Sequence, residues 1–191
     1  MRISGGDARG IRLKTPKGAR PSSERVRHAV FASLASHIPD ARVLDLYAGS
    51  GAYALEALSR GATSAVIVDK AADAVVTAKE NARSTGLASN VRIRKAAASR
   101  YVEREAAQDG PFDLVFVDPP YDEPLDGVLG SLGPHLDPDG RVVLERRWRD
   151  EPAPSAQGLV VEADRRYGDT RVLVYRPGTT AARERSGGAR G

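Results

Sequence analysis

Residues Val43-Leu44-Asp45-Leu46-Tyr47-Ala48-Gly49-Ser50-Gly51-Ala52 decide the fold. A short apolar run, 42–46, breaks at a turn with two glycines and gives way to a helical stretch, 52–60. Glycines at 49 and 51 let backbone approach a ligand closely. Outward from this junction the same unit recurs. Apolar runs at 65–69, 91–95, 113–118 and 141–145 alternate with helical stretches at 71–84, 97–107 and 124–135, and Gly61 and Gly86 stand where helices end. Strands this apolar, separated by helices, predict an α/β protein with a mostly parallel, doubly wound sheet. Its ligands belong at the carboxyl ends of the strands. The last two runs, 159–163 and 170–176, are too close for a crossover helix, so the sheet is expected to end in an antiparallel hairpin.

Asp69 ends the second run, 20 residues after Gly49, where a carboxylate can hold a ribose diol. Gly49-x-Gly51-x-x-Ala54 also fits the dinucleotide fingerprint. Asp45 argues against that reading, because a carboxylate there repels a pyrophosphate and attracts a cationic amino-acid end. Asp118-Pro119-Pro120-Tyr121 closes the fourth run. Two prolines stiffen the exit from the sheet. An acid and a carbonyl then present two acceptors to the two N–H bonds of an exocyclic amine, and Tyr121 offers a stacking surface for an extruded base.

The chain has 191 residues, 41% hydrophobic and 28% charged, enough for one globular domain, and no cysteine. Thiol catalysis, a zinc ribbon and a disulfide scaffold are thereby excluded, and no metal is expected. With neither a signal-like N-terminus nor an apolar run of membrane-spanning length, a soluble cytoplasmic protein is expected, with no membrane partner. The overall charge of +4 is uneven: +6 over residues 1–28, −4 over 29–177 and +2 over 178–191. Residues 1–20 read as a small basic β-hairpin extension, 21–177 as the main domain with a helix starting at Ser22, and 178–191 as a disordered tail. The arm cations Arg9, Arg12, Lys14, Lys17, Arg20, Arg25 and Arg27 are candidates for a polyanionic partner.

The glycine loop together with Asp118–Tyr121 resembles the class I, S-adenosylmethionine-dependent amino-methyltransferases, whose fold is Rossmann-like. The arm narrows the resemblance. Ile3-Ser4-Gly5-Gly6, Arg9-Gly10-x-x-Leu13, Arg20-Pro21-Ser22-x-x-Arg25-Val26-Arg27, Gly49-Ser50-Gly51-Ala52 and Leu55-Glu56-Ala57-Leu58-Ser59-Arg60-Gly61-Ala62 resemble the RsmD family over residues 1–177. That resemblance implies methylation of guanine N2 in 16S ribosomal RNA of the small subunit, by a monomer. It implies Asp45, Tyr47, Gly49, Ser50 and Gly51 around the methionine part of S-adenosyl-L-methionine, Asp69 on the ribose, and Lys70 and Ala97 near the adenine. Asp118, Pro119, Pro120 and Tyr121 would hold the target base. Two positions depart from the family pattern. Lys95 is followed by three alanines instead of a polar residue for the adenine amine, leaving a backbone group or Ser99 for that role, and His28 replaces a carboxylate in the arm helix. The rival readings are amine methylation of adenine or cytosine in DNA, a small NAD-dependent oxidoreductase, and a non-catalytic RNA-binding protein. The oxidoreductase leaves Asp118–Tyr121 and the arm without a role, and the binding protein leaves the pocket without one.

Overall fold

The computed structural model describes residues 1–17, 24–120, 123–149 and 156–178. Among these, seven strands form one sheet in the order β3-β2-β1-β4-β5-β7-β6. The strands are β1 (Arg42–Leu46), β2 (Ser64–Asp69), β3 (Val91–Lys95), β4 (Phe112–Val117), β5 (Leu136–Arg147), β6 (Leu159–Tyr167) and β7 (Thr170–Pro177). Strands β1 to β5 are parallel, and β7 lies antiparallel between β5 and β6. The helices are α1 (Glu24–Ser33), α2 (Ala52–Ser59), α3 (Ala72–Ser84), α4 (Ala98–Arg104), α5 (Ala106–Asp109) and α6 (Asp126–Leu132). No helix among the described residues is long and apolar enough to cross a membrane.

Strand alternation sorts the core into two layers. Leu44, Leu46, Val115, Val117, Val142 and Leu144 face α4, α5 and α6. Val43, Leu114, Phe116 and Val143 face α1, α2 and α3. On that second face Phe31 of α1, Tyr53 of α2 and Phe116 of β4 form an aromatic cluster, with ring centroids 4.7 to 5.9 Å apart. It locks both helices onto β4 just below the end of the strand.

Several boundaries differ from the sequence reading. β5 starts at Leu136, ahead of the expected run at 141–145, and β6 continues to Tyr167, so the hairpin turns at Gly168-Asp169 alone. Polar residues on the edge strand β6 break the apolar pattern, and its ladder with β7 runs through them with one register shift between Val161 and Ala163. The 97–107 helix is two pieces interrupted at Glu105, and Asp118 falls just beyond β4. The expected helix start at Ser22 and the tail beyond Gly178 lie outside the described residues.

The largest difference concerns the arm. It does turn back on itself, with Arg2 bridging Arg12, but it is no appendage. Ile3, Ala8 and Leu13 are buried against Ala52, Leu55 and Ala82. Glu56 of α2 is fully buried and accepts from the Ser4 N–H and hydroxyl at 2.8 and 2.7 Å and from Arg60 Nε at 2.8 Å. Arg27 Nε stands 3.7 Å from the same carboxylate. Removing one member of a buried charged cluster strands the others. Glu56→Ala should therefore destabilise the protein by about 3–5 kcal/mol, measured by denaturant unfolding; a loss below 1 kcal/mol would show that this cluster does not hold the arm.

Candidate active site

The turn from β1 into α2 uses left-handed backbone three times in five residues: Tyr47 (φ 57°), Gly49 (φ 53°) and Gly51 (φ 74°). Tyr47 is the only one with a side chain. It is half-buried, and burial pushes its hydroxyl up to about 12. At Gly51 a Cβ would lie 2.7 Å from Ile67 Cδ1, so a side chain there would have to displace that methyl as well as adopt a left-handed backbone. At Gly49 a Cβ would meet nothing within 4 Å. The first glycine thus faces open space on the ligand side of the loop, and the second faces the core.

Four contacts fix this loop. Asp45, 1% exposed, accepts from Ala54 N–H at 3.1 Å and caps α2 from below. Asp69 Oδ2 accepts from Gly49 N–H at 2.8 Å, while its Oδ1 takes Ala71 N–H at 2.9 Å. Asn81 of α3 donates to the Ser50 carbonyl at 2.9 Å. Ala48 N–H reaches Val68 O at 3.2 Å. Asn81 also exchanges hydrogen bonds with the Lys14 backbone, so one buried amide ties the arm to the loop. Sequence reading missed Asn81, since nothing in a polar helix residue marks a long-range bridge.

Asp118 follows β4, next to β1, and is half-buried at the same edge as the loop; Pro119 follows it, and Pro120 is exposed. Tyr121 lies outside the described residues. Burial raises the Asp45 carboxyl well above its ordinary value, and Asp118, Asp69 and Glu145 push it further in the same direction. Four carboxyls therefore share one edge, where a cationic ligand would favour their ionised forms. Glu145 also escaped sequence reading. It is 7% exposed, its Oε1 has no hydrogen-bond partner among the described residues, and burial raises it to about 7 against the pull of Arg27. A carboxyl ending an apolar strand run was the available signal.

The other predicted positions separate. Lys70 is exposed and pairs with Glu123 at 3.3 Å, so the ends of β2 and β4 are bridged across β1. Ala97 precedes α4, exposed. His28 is exposed on α1. Among the arm cations Arg9, Arg12, Lys14, Lys17 and Arg25 are exposed, Lys14 pairing with Glu80 at 2.9 Å, and Arg20 lies outside the described residues. Arg27 is a correction: it is 1% exposed, donates to the Arg2 carbonyl at 2.6 Å, and has no surface to offer a phosphate. Helical spacing places it on the inner side of α1 with Val30 and Phe31.

Because the folded-state value of Glu145 lies above its unfolded 4.5, the folded protein holds an extra proton between about pH 4.5 and 7. That stability is present below pH 4.5 and lost as pH rises through 7. Glu145→Gln imitates the protonated form and should be more stable than the parent by about 3 kcal/mol at pH 8 and nearly equal at pH 4.5. Thermal unfolding at the two pH values checks this; an equal gain at both would assign the effect to packing.

The geometry agrees with comparison to known proteins. The family description "Conserved hypothetical protein 95" matches residues 1–176. YlbH of Bacillus subtilis, provisionally named an rRNA methyltransferase, is 32% identical over 181 residues, 92% of this chain and 98% of that protein. "Ribosomal RNA small subunit methyltransferase D" of Escherichia coli strain K12 is 42% identical over 128 residues, 63% of this chain and 60% of its own length. The solved structure of yhhF from Escherichia coli, provisionally named a methyltransferase, superposes with a TM-score of 0.81 at 30% identity, covering 93% of this chain and 97% of that one. The chain belongs to this family, the RsmD family, and carries its class I methyltransferase fold.

Proposed function

We propose that the protein methylates the exocyclic N2 amine of a guanine in 16S ribosomal RNA of the small subunit. The observation that supports this most is the meeting of Asp118-Pro119-Pro120 with the glycine loop on adjacent strand ends, β4 and β1, at an edge shared by four carboxyls. S-adenosyl-L-methionine is the cofactor, and the residues present fit it. Open space over Gly49 admits the ligand, and each Asp69 oxygen keeps a second lone pair for ribose hydroxyls beyond its backbone contact. When bound, the cofactor supplies an electrophilic methyl group on a positively charged sulfur.

The chain's own part is orientation. Guanine N2 is a weak nucleophile because its lone pair is delocalised into the ring. The Asp118 carboxylate and the Pro119 carbonyl accept its two N–H bonds, which turns the nitrogen toward the methyl and stabilises the charge that develops on it. Proline at 119 and 120 fixes that carbonyl's direction. Tyr121 supplies the stacking surface for the base. Exposed Arg12, Lys14 and Lys17 in the arm contact RNA phosphates, with Lys14 held by Asn81 beside the loop. Arg9 sits farther off, because its neighbour Ala8 is bound to Ser59 at the far end of α2.

Two experiments test this reading. Asp118→Ala should lower labelled-methyl transfer to unmodified small-subunit rRNA at least 100-fold, an order of magnitude set by the loss of one transition-state hydrogen bond of about 2.7–4 kcal/mol. Cofactor affinity measured by calorimetry should persist; normal transfer would remove Asp118 from the chemistry. Deleting the arm would expose Arg27 and Glu56, so Arg12→Ala with Lys17→Ala is the sound probe. That pair should flatten the log–log salt dependence of RNA binding by about 0.7 per lost phosphate contact; an unchanged slope would reject the arm as an RNA surface.

A further inference from the structure

The C-terminal hairpin gathers positive charge at the end of the sheet. β5 ends at the same edge as Asp118, and the antiparallel register returns the β6–β7 turn to that edge. There Arg146 of β5 faces Arg171 of β7, and Arg171 faces Arg166 of β6. Three arginines thus stand in a row across three neighbouring strands. Like charges directly opposite one another destabilise a sheet. Asp164 engages Arg171 at 2.6 and 3.0 Å and offsets part of that cost.

Beside the row stands Trp148, the chain's one tryptophan. Its backbone N–H is anchored to the Asp169 carbonyl at 2.8 Å, at the tip of the hairpin. The guanidinium carbons of Arg166 and Arg171 lie 4.9 and 5.7 Å from its ring centroid, within cation–π range. The indole is nevertheless 38% exposed, among the few large apolar side chains so open in the described residues. Arg149, next but one to Arg147, is a further exposed cation beside Trp148 in the chain.

We infer that this face is a second RNA-binding surface, with Trp148 as a stacking platform for an unpaired base and the Arg146-Arg171-Arg166 row as a phosphate contact. Strands lie about 5 Å apart, which puts β7 and β6 about 10 and 15 Å from the end of β4. The surface therefore receives the single-stranded RNA next to the nucleotide presented at Asp118. A polyanion is attracted to a row of one sign, and an aromatic ring among arginines is how single strands are held without reading sequence. A protein partner would gain less from a row of one sign. The inference rests on the rRNA reading for the identity of the RNA and adds where that RNA lies. It sits on the opposite side of the catalytic strands from the arm's contacts with α2, so the two surfaces would grip the RNA on both sides of the target.

The single tryptophan makes the test direct. Titration of the full chain with an unmodified small-subunit rRNA transcript should quench Trp148 fluorescence, with the same midpoint as filter binding. Trp148→Ala should weaken RNA binding about 5- to 150-fold, the range for one lost base stack, and Trp148→Phe much less. Arg166→Ala should flatten the log–log salt slope by about 0.7. Each variant, its fold checked by circular dichroism, should keep cofactor affinity and raise the KM for RNA more than it lowers kcat. Unquenched fluorescence on bound RNA, or unchanged affinity and slope in both Trp148→Ala and Arg166→Ala, would overturn the inference. So would weakened binding confined to assembled subunits, which would indicate a ribosomal protein as partner. A wild-type chain that binds this RNA with quenching yet transfers no methyl would fail the methylation reading and leave this surface standing.

Discussion

Everything in the site depends on holding a strained turn open. β1 must pass through left-handed backbone at Tyr47, Gly49 and Gly51 before α2 can start, and such a turn persists only where its surroundings over-determine it. Asp45 secures it from below through Ala54, Asp69 from the side through Gly49, and Asn81 from α3 through Ser50. Both carboxylates therefore do structural work before any ligand arrives. Their second function follows from the first. Carboxyls crowded at a sheet edge push one another toward the neutral form, and a cation entering above Gly49 is favoured because it restores their charge.

The same logic reaches the arm. Its cations suggest a polyanion contact on a hairpin extension, yet Glu56 binds Ser4, Arg60 and Arg27 in the interior and Asn81 holds Lys14 beside the loop. Arm and cofactor loop share α2 and α3 as supports. The RNA-facing and cofactor-facing parts of the molecule are consequently braced by the same side chains.

Much of this was legible from sequence because it is local. The strand–helix alternation, the glycine loop, Asp69 at the end of β2 and Asp118 just after β4 all follow from short-range patterns. Other features were not legible because they are long-range. Arg27 reads as one more arm cation until α1 is docked and turns it toward Glu56, 29 residues later. Glu145 looks like an ordinary strand end until the docked α1 brings Arg27 near it. The hairpin's arginine row exists only through register: Arg146, Arg166 and Arg171 are unremarkable along the chain and become neighbours across it. Charge summed over residues 29–177 is negative and hides that row completely.

The central claim is that Asp118 and the Pro119 carbonyl present a guanine amine to the cofactor bound over the glycine loop. Mass mapping of small-subunit rRNA after reaction with the protein and S-adenosyl-L-methionine tests it most directly. The account predicts a single added methyl on the N2 of one guanine. A methyl on an adenine, a cytosine or a ring nitrogen, or none on rRNA that the protein binds, would contradict it.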